Sequence, residues 1–169
     1  VGSLQYQKGY IIMLKAMKEI IKKYPFVHLN IMGEGEDRKS LEAYILKNKL
    51  YDNIHLKGIK KNIPELLVKS DLFLMTSLWE GFSIALLEAM GTGLPIIATA
   101  VGGNSEAIVN DKTGILITKN NIEEVVSRTS ELINNTDKRK FLGIEARRKF
   151  HEYHTIGVMM SKLDLIYFS

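Results

Sequence analysis

DLFLMTSLWEGFSIALLEAMGTGLPIIAT, from Asp71 to Thr99, is the stretch whose reading decides the fold. Leu72-Phe73-Leu74-Met75 is an unbroken apolar run, which predicts a buried strand within Asp71–Ser77. Gly81-Phe82-Ser83 then turns the chain into a helix predicted from Ser83 to Met90. Pro95–Thr99 holds a second buried strand. Strands that are apolar almost continuously belong in a parallel sheet covered on both faces, because an alternating pattern is what a half-solvated strand would show.

The same alternation extends in both directions. Upstream, Val1–Leu4 reads as the end of a strand closing on a loop. Tyr10, Met13, Leu14, Met17, Ile20, Ile21 and Tyr24 recur at helical spacing between Gly9 and Tyr24, and Pro25 stops that helix. Val27–Met32 is a predicted strand ending at Gly33-Glu34-Gly35. Glu36–Leu50 is a helix with Leu41, Tyr44 and Ile45 inward, and Ile54–Lys57 is a strand ending at Gly58. Asn62–Lys69 is a short helix with Pro64 in its first turn, where a missing N–H costs little. Downstream come a short helix near Ser105–Val109, a last strand at Gly114–Thr118, and three helical stretches from Asn121 to Phe168. The expectation is an α/β, Rossmann-like doubly wound parallel sheet of about six strands, with helices on both faces and a helical C-terminal end. Such folds bind ligands beyond the carboxyl ends of the strands. Gly2, Gly33, Gly58, Gly81 and Gly102 each follow a strand and so fall there.

The 169 residues fit one domain, and 46% hydrophobic content suffices for a full core. There is no cysteine, so disulfides and thiolate metal sites are excluded. No apolar run approaches the roughly 18 residues that span a bilayer. With 23 basic and 19 acidic residues the net charge is +4. The lysines are dispersed and no basic block alternates with aromatics, so nucleic acid is not an expected partner. The excess suits a solvated surface, an anionic ligand or an anionic membrane face. The opening residue is Val1 rather than methionine, and an upstream part is expected.

Two familiar nucleotide motifs fail. No segment matches the P-loop pattern, and Gly33-Glu34-Gly35 lacks the third glycine of a dinucleotide fingerprint because Arg38 stands there. Glu80 and Glu88 lie eight positions apart, but so do Glu34 with Glu42 and Glu123 with Glu131, so spacing alone means little. Context separates them. Glu80 follows a buried strand, and Gly81-Phe82-Ser83 opens a helix whose free N–H groups suit a diphosphate. A carboxylate accepts hydrogen bonds from vicinal hydroxyls, so the two glutamates could hold a sugar on one side and a ribose on the other. The apolar neighbours Leu86, Leu87, Ala89 and Met90 argue against a plain surface position for Glu88. His28, His55, His151 and His154 show no metal-ligand spacing with a carboxylate partner. Trp79 could line a sugar pocket or simply pack.

From Glu80-Gly-Phe-Ser to Glu88, the segment resembles the E-x7-E signature of the large retaining glycosyltransferase family with the two-domain GT-B architecture. Lys8-Gly9, Gly-Glu-Gly, Ser70-Asp71-Leu-Phe-Leu, Pro95-Ile-Ile-Ala, Gly102-Gly103 and Gly114-Ile-Leu extend the resemblance over nearly the whole chain. It implies that Glu80 binds donor-sugar hydroxyls and Glu88 the ribose. Backbone N–H groups around Gly81, Phe82, Ser83 and Ile84 would receive the diphosphate, with Lys8 pairing to the phosphates. Lys8 and Glu80 would be the catalytic pair. Gly2 and Ser3 would border the phosphates, and the backbone after Gly58, near Ile59, would meet the base. The family often carries Gly-Arg-Leu where this chain has Gly2-Ser3-Leu4, so Ser3 supplies a hydroxyl in place of a charge.

The expected function is therefore the donor half of a two-domain enzyme, residues 1–169, with the acceptor domain outside this chain. It would bind a UDP- or GDP-linked sugar for retaining transfer to a carbohydrate or lipid-linked acceptor, in bacterial surface polysaccharide synthesis. No cofactor and no metal are expected: no Asp-x-Asp motif appears, and Lys8 with a helix N-terminus would meet the departing diphosphate. The resemblance implies a cytoplasmic location, with peripheral association at the inner membrane face open to the full-length protein. Two alternatives stay open, a non-catalytic nucleotide-sugar-binding module and a sugar-nucleotide epimerase. A dehydrogenase is more distant, given the broken glycine fingerprint.

Overall fold

The computed structural model describes residues 1–167. Its helices are α1 (Tyr10–Lys23), α2 (Arg38–Lys47), α3 (Ile63–Val68), α4 (Ile84–Thr92), α5 (Asn104–Ala107), α6 (Ile122–Asn134), α7 (Thr136–Tyr153) and α8 (Ile156–Tyr167). Its strands are β1 (Leu29–Ile31), β2 (Ile54–Leu56), β3 (Phe73–Met75), β4 (Ile96–Thr99) and β5 (Ile115–Ile117). The alternation predicted from the sequence is present, with most elements one to three residues shorter at their ends. The expectation that the last helical run reaches Phe168 lies outside the described residues.

Every strand pairing is parallel: β1 with β2, β3 with β4, and β4 with β5. The strands fall into two groups, β1-β2 and β3-β4-β5. About six strands were expected, and five form among the described residues. Val1–Leu4 is extended but not a strand; it makes two rungs, from Gly2 N–H to the Met32 carbonyl (2.9 Å) and from Leu4 N–H to the Glu34 carbonyl (2.8 Å).

Helices cover both faces, as the continuous apolar runs required. Along β4, successive side chains point to opposite faces. Ile96 and Ala98 pack with Leu86, Ala89 and Met90 of α4, while Ile97 packs with Val125 and Leu132 of α6. All four residues of β4 are buried. The first part of the chain forms its own cluster, in which Leu14, Met17 and Ile20 of α1 meet Ile31, Leu41 and Ile54.

Local signals fix the helix starts. Asn121 caps α6 by accepting the Glu124 N–H at 3.0 Å, and Glu124 in turn accepts the Thr118 N–H at 2.8 Å. Asn121→Ala should cost about 1 kcal/mol, as loss of a side-chain cap generally does. Chemical denaturation reads this directly, and an unchanged midpoint would show the cap to be idle.

Candidate functional site

The site forms where the loop after Leu4 meets the loop after β3. The first of these winds through a 3-10 turn at Tyr6–Lys8 and closes on Gly9. Thr76, at the end of β3, donates its hydroxyl to the Gly9 carbonyl at 3.0 Å. The Leu78 N–H bonds to the Gln7 carbonyl at 2.7 Å, and the Gln7 amide donates to the Trp79 carbonyl at 3.0 Å. These bonds join two loops some seventy positions apart in sequence.

The result is a contact between Lys8 and Glu80, Nζ to Oε1, at 2.7 Å. Ser77 Oγ donates to the same oxygen at 2.7 Å. The side chains are 19% and 6% exposed, so the pair is largely withdrawn from water. Ser77 is itself held from behind, because Thr99 Oγ1 donates to the Ser77 carbonyl at 2.7 Å. Tyr10 borders the pair and donates its hydroxyl to the Gly2 carbonyl at 3.2 Å. Burial first, and the Glu80 charge second, push its phenol up to about 12, so it stays a neutral donor.

The loop after β4 fixes the backbone of residues 80 and 81. Gly102 adopts φ +48, and a Cβ on it would lie 1.8 Å from the Glu80 carbonyl oxygen. The neighbouring Gly103 N–H bonds to the Gly81 carbonyl at 2.7 Å. Gly81 is the opposite case. Its φ is not in the left-handed region, and a Cβ there would meet nothing within 4 Å. Neither backbone conformation nor packing within the chain calls for glycine at position 81.

Beyond Gly81, Phe82 stands exposed and Ser83 is buried as the cap of α4, with Ser83 Oγ accepting the Leu86 N–H at 3.4 Å. Ile84 opens the helix with its side chain in solvent. Glu88 is half-buried on the second turn of α4, between buried Leu86 and Ala89. Lys8 and Glu80 thus meet just ahead of α4, where Gly81 and Ser83 lead into the helix and Glu88 stands on its second turn.

Other predicted site residues sit further along. Gly58 follows β2 at φ +68, and its carbonyl accepts the Gly33 N–H at 2.9 Å. Ile59 beside it is exposed. Gly2 packs against the Lys8 stem and the Tyr10 hydroxyl. Ser3 is exposed and donates its hydroxyl to Gln5 Oε1 at 3.2 Å. Trp79 is half-exposed with its ring 6.1 Å from that of Tyr6. Three of the other four paired glutamates, Glu34, Glu42 and Glu131, have ion-pair partners. Arg38 binds both Glu34 and Glu42, and Glu131 binds Lys138 and Arg128.

Sequence reasoning did not assign Ser77, Gln7, Tyr10 or Thr99 to the site. Ser77 had a usable signal, since it stands three residues before Glu80 in the same loop after β3. Gln7, Tyr10 and Thr99 act through contacts that no local pattern carries.

The chain is matched over residues 1–149 by the family "Glycosyl transferases group 1". It is 34% identical over 145 residues to an uncharacterized glycosyltransferase of Methanocaldococcus jannaschii, covering 85% of this chain and 40% of that protein. It is 35% identical over 142 residues to the Escherichia coli UDP-Gal:alpha-D-GlcNAc-diphosphoundecaprenol alpha-1,3-galactosyltransferase, covering 82% and 36%. A crystal structure of a Staphylococcus aureus TarM mutant with fondaparinux, alpha-GlcNAc-glycerol and UDP superposes with a TM-score of 0.90 at 25% identity, over 98% of this chain and 34% of that one. The chain thus spans less than half the length of these relatives. It belongs to the group 1 glycosyltransferases, whose solved members share its Rossmann-like architecture.

Proposed function

We propose that this chain is the donor-binding half of a two-domain glycosyltransferase, and that its crevice holds a nucleoside diphosphate sugar, UDP- or GDP-linked, for retaining transfer. The observation that carries this reading is the Lys8–Glu80 pair beside an unobstructed Gly81 at the start of α4. An ammonium has three donors, so Lys8 can keep Glu80 and still meet a phosphate. Ser77 and Lys8 both occupy Oε1 of Glu80. The second oxygen is the one offered to sugar hydroxyls. Free N–H groups at the head of α4 would receive diphosphate charge. Glu88, further along the crevice, suits the vicinal hydroxyls of ribose. The TarM complex with UDP and the UDP-Gal specificity named for the E. coli relative support a UDP donor. That relative's diphosphoundecaprenol acceptor supports a role in bacterial surface polysaccharide synthesis.

In this mechanism the bond from the anomeric carbon to the diphosphate oxygen breaks as the acceptor hydroxyl bonds to that carbon. Negative charge grows on the leaving diphosphate, and Lys8 with the α4 amides stabilises it. The acceptor and its proton would be handled from the other domain.

Calorimetry with UDP and GDP tests the reading. The chain should bind one of them in the micromolar to millimolar range, on the order of −4 to −8 kcal/mol. Lys8→Ala should weaken binding by about 10- to 100-fold, the worth of a charge-assisted hydrogen bond. Raised salt should act in the same direction. Indifference to both nucleotides at millimolar concentration would overturn the proposal. In the two-domain enzyme, EDTA should leave initial rates near their starting value, because Lys8 and the helix end carry the leaving-group charge. A loss restored only by magnesium or manganese would assign that task to a metal instead.

A further inference from the structure

Two aromatic rings stand in water next to the Lys8–Glu80 pair. Trp79 immediately precedes Glu80 and is 52% exposed, while Tyr6, two residues before Lys8, is 70% exposed. Their ring centroids lie 6.1 Å apart at a tilt of 54°. The rings come from loops distant in sequence, so the fold makes the pairing. Gln7 fixes it from both of its ends. Its carbonyl accepts the Leu78 N–H at 2.7 Å, and its side-chain amide donates to the Trp79 carbonyl at 3.0 Å. The Tyr6 carbonyl in turn accepts the Gly9 N–H at 3.0 Å. The backbone under each ring is held while the rings stay uncovered.

Packing does not account for them. Neither Tyr6 nor Trp79 joins any of the three buried clusters of the described residues. Phe82, on the other side of Glu80, differs: its ring packs on Gly103 and stands 5.8 Å from that of His154. A fixed aromatic surface beside a carboxylate suits a carbohydrate. A pyranose carries hydroxyls at its rim and an apolar face of C–H bonds. The face stacks on aromatic rings, and the rim needs polar partners. Tyr and Trp supply such contact area at low entropic cost, because each has only two torsions to fix.

We propose that Tyr6 and Trp79 form a stacking platform for the acceptor, a pyranose whose C–H face lies on these rings while it meets the donor. The inference rests on the donor-site proposal, in which the diphosphate sits at the head of α4 and the donor sugar on Glu80. The acceptor oxygen must come within bonding distance of the donor's anomeric carbon, so the acceptor ring is an immediate neighbour of that sugar. Along the loop, Gly81 on one side of Glu80 goes to the diphosphate. Trp79 on the other side, with Tyr6 against it, is the surface left for the acceptor. The second domain still handles the reacting hydroxyl and its proton; this chain supplies one face of the acceptor site. Stacking reads the ring's shape rather than any single hydroxyl, so the platform accepts pyranoses with an open C–H face and refuses an acyclic polyol.

Trp79 is the sole tryptophan, which makes the test direct. Methyl β-D-glucopyranoside is the probe, because one face of its ring carries three axial hydrogens, and sorbitol is the control. With UDP or GDP present, the glycoside should change Trp79 emission, saturating in the millimolar range. Saturation-transfer NMR should mark the three axial hydrogens of that face above the rest of the sugar. Sorbitol at the same concentration should do neither. Trp79→Ala should cut the saturation-transfer signal by about 10-fold and Tyr6→Ala by less, as truncation of an aromatic anchor does. Trp79→Phe should restore most of it. No response to the glycoside, a response equal to that of sorbitol, or one that survives Trp79→Ala overturns the proposal. So does displacement by UDP-glucose when UDP leaves the glycoside in place, which would put the ring in the donor-sugar position. Nucleotide calorimetry on the unsubstituted chain reads the donor proposal separately. A chain that binds UDP or GDP but no glycoside sinks this inference alone, and one that binds neither sinks both.

Discussion

Glu80→Ala in the two-domain enzyme should lower kcat/KM by about 10²- to 10³-fold, close to 3–4 kcal/mol in barrier terms. Two losses combine. The donor sugar loses the carboxylate that orients it, and orientation is worth more at the transition state than in the ground state. Lys8, only 19% exposed, loses the partner that holds its ammonium in the crevice. Ser77 loses its acceptor as well. Glu80→Gln separates these effects, since it keeps the shape and an acceptor for Ser77 but removes the charge opposite Lys8. It should fall between wild type and alanine. Glu88→Ala should act mainly through nucleotide affinity, because a ribose contact is remote from the reacting bond. If both alanine variants kept wild-type kinetics, the crevice would not be the donor site.

Much of this was legible in the sequence, and the reason is physical. Runs such as Leu72-Phe73-Leu74-Met75 and Pro95-Ile96-Ile97-Ala98 can be stable only where both faces of a sheet are covered, so the residues alone imply the layers. Glu80 differs from the other paired glutamates in that it follows such a run and precedes Gly81. Arg38, the residue that breaks the dinucleotide fingerprint, bridges Glu34 and Glu42.

What could not be read were the contacts between distant loops. Nothing near Lys8 in sequence marks Glu80 as its partner 72 positions later. Gln7 and Thr76 make that meeting possible, and both are ordinary polar residues in their own neighbourhoods. Ser3 shows the limit of a substitution read in one dimension. A hydroxyl was expected near the phosphates, and in this structure it bonds to Gln5 on an exposed loop.

Two glycines of adjoining loops should respond to mutation in opposite ways. Gly102→Val should destabilise the chain by about 3–5 kcal/mol, through two mechanisms that add. At φ +48 a β-branched residue is strained by about 1–2 kcal/mol or more. Its Cβ would also fall 1.8 Å from the Glu80 carbonyl oxygen and 2.9 Å from the carbonyl carbon, so the loop bearing Glu80 must move. Backbone cannot yield as the tip of a flexible side chain can, and nucleotide binding should fall with stability. Gly81→Ala meets open space and needs no left-handed backbone, so its stability should stay within about 0.5 kcal/mol of wild type. Its methyl group would nevertheless stand where a diphosphate must approach the α4 amides, and UDP or GDP affinity should drop by about 10-fold or more. Denaturation and calorimetry on the two variants separate the roles. A normally stable Gly102→Val would mean the loop after β4 does not hold Glu80. A stable Gly81→Ala that bound nucleotide as tightly as wild type would remove the phosphate from the head of α4 and with it the central contact of the proposed donor site.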